Sequence, residues 1–454
     1  TDNNSYSHNY GVESYLARVN YGFKSRYYVD ASWRTDGSSR FHPGDRWGHF
    51  WSVGASWRIS EEQFMENTRQ WLDNLTLKVS YGVQGNDNLG TYYAWQGLYD
   101  YTWPNATDAG AFVDKLENRK VTWEKNGNLN AGIEATMFGG RLGVSVEYYN
   151  RKTRDMLLNS PLPISTGFTG FNDNVGSLRN QGLEVSLRGT ILDKRDFRWD
   201  ATLMGSFNRN KVLSLTGGQD VITSGIRVIE VGRPIYTFYL PKTAGVDPAT
   251  GKQLYYAYWT QTVNDEGALV NTRCDEYITD NVAMATLSKY YHESREPKLF
   301  GSIGSTFTIL KNIDVSFLTT YSIGGWVYDG LYNGSMYVQY AGNNWHKNAK
   351  RRWQKPGDKT DVPMLEVGGS YATTSNSLID ASYFAIKNIT VGYTLPKRWL
   401  KKIDIESLRI YATLDNIAMF NHMDGMDPQY NFTGSVAYSY TPSRVIAFGI
   451  DLNF

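Results

Sequence analysis

The chain has 454 residues, of which 46 are Lys or Arg and 45 are Asp or Glu, so its formal charge is 46 − 45 = +1. A balance this near zero carries no basic footprint for nucleic acid, and 33 Tyr, 19 Phe and 14 Trp are too much aromatic surface for a disordered chain. The longest apolar runs, such as Val445 to Ile450, reach about six residues against the ~18 of a membrane helix, which excludes helical spans. Membrane strands cross in about ten residues and are not excluded.

The chain opens on Thr1-Asp2-Asn3-Asn4 with no initiator Met or signal peptide, which reads as a processed or truncated start. From there, period two runs almost throughout. In the segment 141–149, Leu142, Val144, Val146 and Tyr148 alternate with Gly143, Ser145, Glu147 and Tyr149. Such alternation predicts about thirteen strands, near 13–23, 26–35, 49–59, 74–83, 127–138, 141–152, 179–191, 196–208, 299–310, 312–323, 383–395, 407–416 and 444–454. Most are ten to thirteen residues long, twice the ~5–6 of an average soluble strand. The links alternate between tight ones, such as Lys24-Ser25, Gly139-Gly140 and Lys311, and long loops such as 84–126, 209–298 and 324–382. A soluble sandwich has no reason to sort its loops this way, whereas an outer-membrane barrel has short periplasmic turns and long extracellular loops. The expected fold is therefore all-β, a transmembrane antiparallel β-barrel with its C-terminus in the periplasm.

Two local features stand out. Ser60-Glu61-Glu62-Gln63 is a capping-box pattern and predicts one small helix over Phe64 to Trp71 in a periplasmic turn. The apolar phase slips by one across Lys387-Asn388, which predicts a bulge. Sorted by face, Arg18, Arg34, Arg58, Lys78, Arg188, Arg198 and Arg409 share the inward side with Asp30, Glu134, Glu147, Glu184, Asp200, Asp314 and Asp415. Mixed charge suits a wet lumen, and a Lys or Arg facing lipid at midplane would cost roughly 2–4 kcal/mol. Tyr21, Phe23, Tyr27, Trp33, Trp51, Trp57, Tyr81, Tyr148, Phe197 and Phe454 lie on the outward face, as an aromatic girdle does.

With the strands placed, several stretches resemble one family. They are Arg34-Thr35-Asp36-Gly37-Ser38-Ser39-Arg40-Phe41 with Arg46-Trp47-Gly48 and Trp57-Arg58-Ile59-Ser60, Leu77-Lys78-Val79-Ser80-Tyr81-Gly82 through Gly85-Asn86, and Asn174-Val175-Gly176 through Asn180-Gln181-Gly182-Leu183-Glu184. Gly245-Val246-Asp247-Pro248 and Tyr440-Thr441-Pro442-Ser443-Arg444 leading to Phe454 belong with them. Spread from about residue 12 to 454, they resemble the SusC/RagA-like TonB-dependent outer-membrane transporters. The resemblance implies a barrel of about 22 strands with an N-terminal plug, of which about 13 are present here. The chain then looks like the C-terminal part of a longer transporter. Its partners would be the N-terminal remainder of the barrel, the TonB complex acting through the plug, a SusD-like surface lipoprotein, and membrane lipid with lipopolysaccharide. The cargo would be an oligosaccharide or a peptide. A terminal aromatic, Phe454, looks like the barrel-assembly signal.

The long loops are rich in aromatics, and flat rings with polar neighbours stack on sugars or grip peptides. The candidate ligand contacts are Tyr93, Trp95, Tyr99, Trp103, Tyr256, Trp259, Trp326, Tyr328 and Trp345, with Tyr337, Tyr340 and Asn343 nearby in the last loop. The alternative is that these rings hold the loops together or dock a partner. Asp247, Asp424 and Asp427 are calcium-type oxygens, but Asp-Pro and Asp-Gly are also ordinary turn formers. One cysteine, Cys274, and six histidines without an i, i+4 pair give no zinc pattern, and no hydrolase elbow or phosphate loop occurs. No catalytic residue and no cofactor is expected. The competing function is a surface binding or adhesion protein, or a passive pore.

Overall fold

The computed structural model describes residues 7–101, 103, 108, 110–215, 220–336, 342, 344–366, 371–401, 405–429, 432–436 and 440–454. Thirteen long strands follow one another in chain order as neighbours in an antiparallel 13-stranded sheet. They are β1 (Val12–Phe23), β2 (Tyr27–Ser38), β3 (Trp47–Arg58), β4 (Leu72–Asn86), β5 (Glu124–Met137), β6 (Leu142–Arg154), β7 (Ser177–Lys194), β8 (Phe197–Ser214), β9 (Leu299–Ile309), β10 (Ile313–Ile323), β11 (Tyr383–Thr394), β12 (Ser407–Asn421) and β13 (Val445–Asn453). All thirteen are the period-two segments. Several run further at their loop ends than alternation suggested, as β4 does to Asn86 and β8 to Ser214. No described helix is long and apolar enough to cross a membrane. The chain divides into two compact units, Thr1–Ile191 with Asp200–Ile222 and Glu230–Arg233, and Leu192–Trp199 with Thr223–Ile229 and Pro234–Phe454.

In the first unit the register separates the two faces. Tyr21 pairs with Val29, then Ala55, Val79, Ala131, Tyr148 and Leu183 across seven strands. One residue along, Asn20 pairs with Asp30, Gly54, Ser80, Asn130, Tyr149 and Gly182. One row is apolar and the other polar because paired residues point to the same side of a sheet. The apolar side stays open to the surroundings, with Tyr21 62% and Trp33 46% exposed, as a lipid-facing surface requires. Its rings form two bands. Phe23, Tyr27 and Trp57 stack at 6.4 Å spacings near the β1–β2 turn, and Tyr15 stacks on Trp47 at 6.2 Å near the loops. Trp47 and Trp57 are 57 − 47 = 10 residues apart on β3, roughly 33 Å of strand, or about 25 Å of membrane depth once tilted by ~40°.

The tight links fold as expected. Lys24 and Ser25 both take positive φ (50° and 53°), and Arg26 N–H donates to Phe23 O at 3.0 Å, a type I′ turn that matches strand twist. Leu310 and Lys311 repeat it in the second unit. The small helix expected over 64–71 forms as 3₁₀ turns, Ile59–Glu61 and Gln63–Thr68, shorter than expected and with no side-chain cap. Glu62 ties the turn to the strand ends. It accepts from Tyr27 Oη (2.5 Å), Trp57 Nε1 (3.0 Å) and Arg26 Nη1 (3.2 Å), and those bonds hold its carboxyl below the usual range.

In the second unit β9 to β13 pair in sequence order. The bulge expected at Lys387 is present, with the register slipping between Ile386 and Asn388 against β12 and at the matching point against β10. Asn388 then reaches Asp415 Oδ1 (2.7 Å) and Thr413 Oγ1 (2.8 Å). The inward charges pair across strands. Arg409 on β12 grips Asp314 on β10 with two bonds (3.0 and 2.7 Å) and Asp451 on β13 at 3.2 Å.

Candidate functional site

The loops carry cores of their own, which period-two reading of the strands did not reveal. In the first unit Phe41, Phe50, Ala94, Val121 and Trp123 bury one another at the loop ends of the strands. Phe50 lies over two glycines of neighbouring backbone, so that a Cβ on Gly85 would stand 2.1 Å and one on Gly48 2.4 Å from its ring. Trp95 packs on this cluster and meets His42 edge-on at 5.1 Å. Tyr93 is half-buried, accepting from Asn9 N–H and tilted against His8 at 5.8 Å. Tyr99 and Trp103 differ from these. They are 58% and 67% exposed on a small hairpin, Leu98–Asp100 with Phe112–Lys115, where Trp103 touches Phe112 edge-on.

In the second unit the loop between β8 and β9 folds into two small sheets. One pairs Thr237–Pro241 with Lys289–Ser294, and the other is a long hairpin of Gln253–Val263 with Leu269–Thr279. Tyr256 lies beneath Lys242 Nζ at 4.4 Å, and Trp259 is half-buried with its N–H on Ser288 Oγ. The candidates of the loop between β10 and β11 are mostly structural. Tyr328 is 7% exposed in a core with Phe238 and Leu240, so ligand contact does not fit it, and Trp326 packs against the same core. Trp345 packs on Met336, Ala349 and Val362. Tyr337, Tyr340 and Asn343 lie outside the described residues.

The carboxylates weighed for calcium are engaged in turns and pairs. Asp247 accepts from Ala249 N–H (2.9 Å) and Thr250 Oγ1 (2.6 Å), bonds that hold its carboxyl low. Asp427 Oδ1 accepts from Gln429 N–H at 2.8 Å, and Asp424 pairs with Lys347 at 3.0 Å. Among the described residues no group of three or more His, Cys, Asp or Glu converges as metal ligands.

The motif residues prove to be joints between strand ends and loops. Val175 is buried, its N–H donating to Met156 O at 2.7 Å, while Asn174 reaches Thr122 O and Asp155 O and accepts from Thr122 N–H. Arg40 sits over Tyr10 (4.6 Å) and Tyr92 (5.1 Å) and bonds Asp87, which also accepts from Ser38 Oγ. A family model described as TonB dependent receptor-like, beta-barrel matches residues 1–417. The chain belongs to that family. It is 29% identical to the TonB-dependent receptor P26 of Formosa agariphila over 98% of this chain and 46% of that one. Likeness to the TonB-dependent receptor SusC of Bacteroides thetaiotaomicron is also 29%, over 97% of this chain and 43% of that one. Among solved structures the RagAB peptide transporter superposes with a TM-score of 0.84 at 29% identity, covering 98% of this chain and 48% of that chain. The chain thus spans about half the length of these relatives and is of the SusC/RagA type. The strand-and-loop pattern read from the sequence is this family's barrel.

Sequence reading missed Lys242, Tyr239, Arg273 and Lys289, which stand around Tyr256 and its neighbours. The tyrosines were visible, but Lys289 lies 289 − 239 = 50 residues from Tyr239 and Tyr290 lies 290 − 258 = 32 residues from Tyr258 along the chain.

Proposed function

We propose that the chain supplies strands and outer loops to a TonB-dependent outer-membrane importer of a large nutrient, an oligosaccharide or a peptide. A SusD-like lipoprotein would cover the loops, and the plug and remaining strands would couple the barrel to TonB. The observation that carries this reading is the register of the first unit, where an apolar row and a polar row alternate across seven strands. A sheet with one lipid-facing side and one wet side, bearing long folded loops at one end, is built to admit a solute from outside. Of the candidate rings, Tyr99 and Trp103 are the most exposed, and Tyr93, Trp95, Tyr256 and Trp259 are half-buried.

Deleting the locus tests the proposal through uptake of labelled oligosaccharides and peptides. Loss of one class, and the same loss in a TonB-deficient strain, is the expected result. Uptake that persists without TonB would make the protein a passive pore, and unchanged uptake of every nutrient would leave surface adhesion. Phe454, 87% exposed at the end of β13, serves in this reading as the assembly signal. Removing it lowers the amount of heat-modifiable protein in the outer membrane; normal amounts would refute the role.

A further inference from the structure

The loop between β8 and β9 gathers cations onto tyrosine faces. Lys242 Nζ stands 4.4 Å above Tyr256 and 5.8 Å from Tyr290. Arg273 lies 5.2 Å over Tyr258, and Lys289 Nζ is 6.0 Å from the Tyr239 ring. The rings pack on one another, Tyr258 edge-on to Tyr290 at 5.3 Å and Tyr239 tilted on Tyr291 at 4.9 Å. Backbone bonds tie the parts together. Tyr256 N–H donates to Lys242 O at 3.0 Å, and Tyr258 Oη donates to Lys289 O at 2.6 Å.

Residues 237–294 carry four Lys or Arg and seven Asp or Glu, yet three of those cations meet rings rather than carboxylates. Elsewhere in the second unit basic side chains meet carboxylates, as Lys252 meets Asp280 (2.7 Å) and Arg351 meets Asp361 (3.2 Å). Among the described residues none of Lys242, Arg273 and Lys289 forms an ion pair. One carboxylate, Glu276, stands beside the Tyr290 hydroxyl. An exposed cation–π contact is worth about 0.5–1 kcal/mol and leaves N–H donors of the ammonium or guanidinium available, one of those on Lys289 being taken by Gly225 O at 3.3 Å. An oxyanion that reached these donors would gain charge-assisted hydrogen bonds, roughly twice as strong as neutral ones. The hydroxyls stay neutral beside the cations: burial pushes Tyr258 up to about 12 and raises Tyr290 as well, and Tyr258 donates its proton to Lys289 O. Flat rings beside cations suit a ligand that is both planar-faced and acidic.

We propose that Lys242, Arg273 and Lys289, set on Tyr239, Tyr256, Tyr258 and Tyr290, form a subsite for an oxyanion, carboxylate or sulfate, carried by the ligand. The inference rests on the import reading for the ligand's arrival, so binding and uptake are measured separately. The whole purified transporter is titrated calorimetrically with four probes: oligogalacturonate, a sulfated oligosaccharide, an aspartate-rich peptide and a neutral malto-oligosaccharide. At least one acidic probe binds more tightly than the neutral one, and which of the three it is names the source of the oxyanion. Lys242→Gln and Arg273→Gln each weaken that probe about tenfold and flatten its salt dependence, with the neutral probe unmoved. The exposed Lys355→Gln, remote from the cluster in sequence, changes neither. Each variant is first matched to wild type for outer-membrane yield and heat modifiability, so a folding failure is read before affinity. No preference for any acidic probe, or equal losses on acidic and neutral probes, overturns the subsite. Energised uptake that survives those outcomes would leave the import reading standing alone.

Discussion

At residue scale, the motif positions act by geometry rather than chemistry. Gly176 has φ +74°, and a Cβ there would lie 2.2 Å from Ser214 O, a backbone atom that cannot swing aside. Gly176→Ala combines a left-handed backbone cost of roughly 1–2 kcal/mol with displacement of the end of β8. The expected outcome is a lower unfolding temperature and faster proteolysis within 155–178, measured on the detergent-solubilised transporter; an unchanged cleavage pattern would count against it. Asp329 makes a second case. It is 3% exposed and its Oδ1 accepts from Tyr332 N–H (2.8 Å) at the start of the short helix Gly330–Met336. Burial raises its carboxyl above the usual value, Asp424 adds to that, and His346 with the helix amides opposes it. An acid whose folded value is raised binds more protons folded than unfolded, so its contribution to local stability is lost as pH rises from about 4 through the folded value. The protection of the 330–336 amides against hydrogen exchange, taken relative to the intrinsic base-catalysed rate, should therefore fall over that window. Asn keeps the capping oxygen without the charge, so Asp329→Asn should abolish the pH dependence and leave these amides protected. Protection in Asp329→Asn that still falls with pH would assign the effect to another group.

At element scale, the strands were legible because each must serve lipid and water at once, and a period of two is the solution for a half-wet strand. The Lys387 bulge was legible for the same reason. It keeps Phe384 and Ile386 on the side of Ile389, Val391 and Tyr393, and lets Phe384 meet Phe420 at 6.5 Å. Deleting Lys387 would turn Phe384 and Ile386 toward the polar row, whereas Lys387→Ala keeps the extra residue and hence the phase. The deletion should fail to reach the outer membrane and Lys387→Ala should insert normally, as blotting of fractionated membranes reports; equal insertion of both would remove the bulge from the account. What could not be read were structures set by distant partners. The capping box at Ser60 does not close, because Ser60 is buried with its hydroxyl unbonded among the described residues, while Trp57, Tyr27 and Arg26 gather on Glu62 beside it. The tyrosine cluster depends on pairing between Thr237–Pro241 and Lys289–Ser294, which no local pattern encodes. Tyr328 looked like other loop aromatics because nothing near it in sequence reveals the cover that Phe238 and Leu240 provide.

At the scale of the whole molecule, a net charge of +1 conceals a sorted distribution. Opposite charges meet on the wet face, as Lys78 and Glu134 do at 2.5 Å and Arg409 and Asp314 at 2.7 Å, while the outward face is left to aromatics and aliphatics. The single cysteine makes the orientation testable. Cys274, part-exposed on the Leu269–Thr279 strand, belongs to a loop that the import reading puts outside the cell, whereas Lys24 lies in a turn it puts in the periplasm. A membrane-impermeant maleimide applied to intact cells should modify Cys274, detected by mass spectrometry of its tryptic peptide. Lys24→Cys should be modified only after the outer membrane is permeabilised. The reverse pattern would invert the barrel and put the tyrosine subsite on the wrong side of the membrane for import. Labelling of both sites in intact cells would mean that the turn is not shielded by a bilayer, because a ~30 Å hydrocarbon layer is what separates the two ends of a membrane strand.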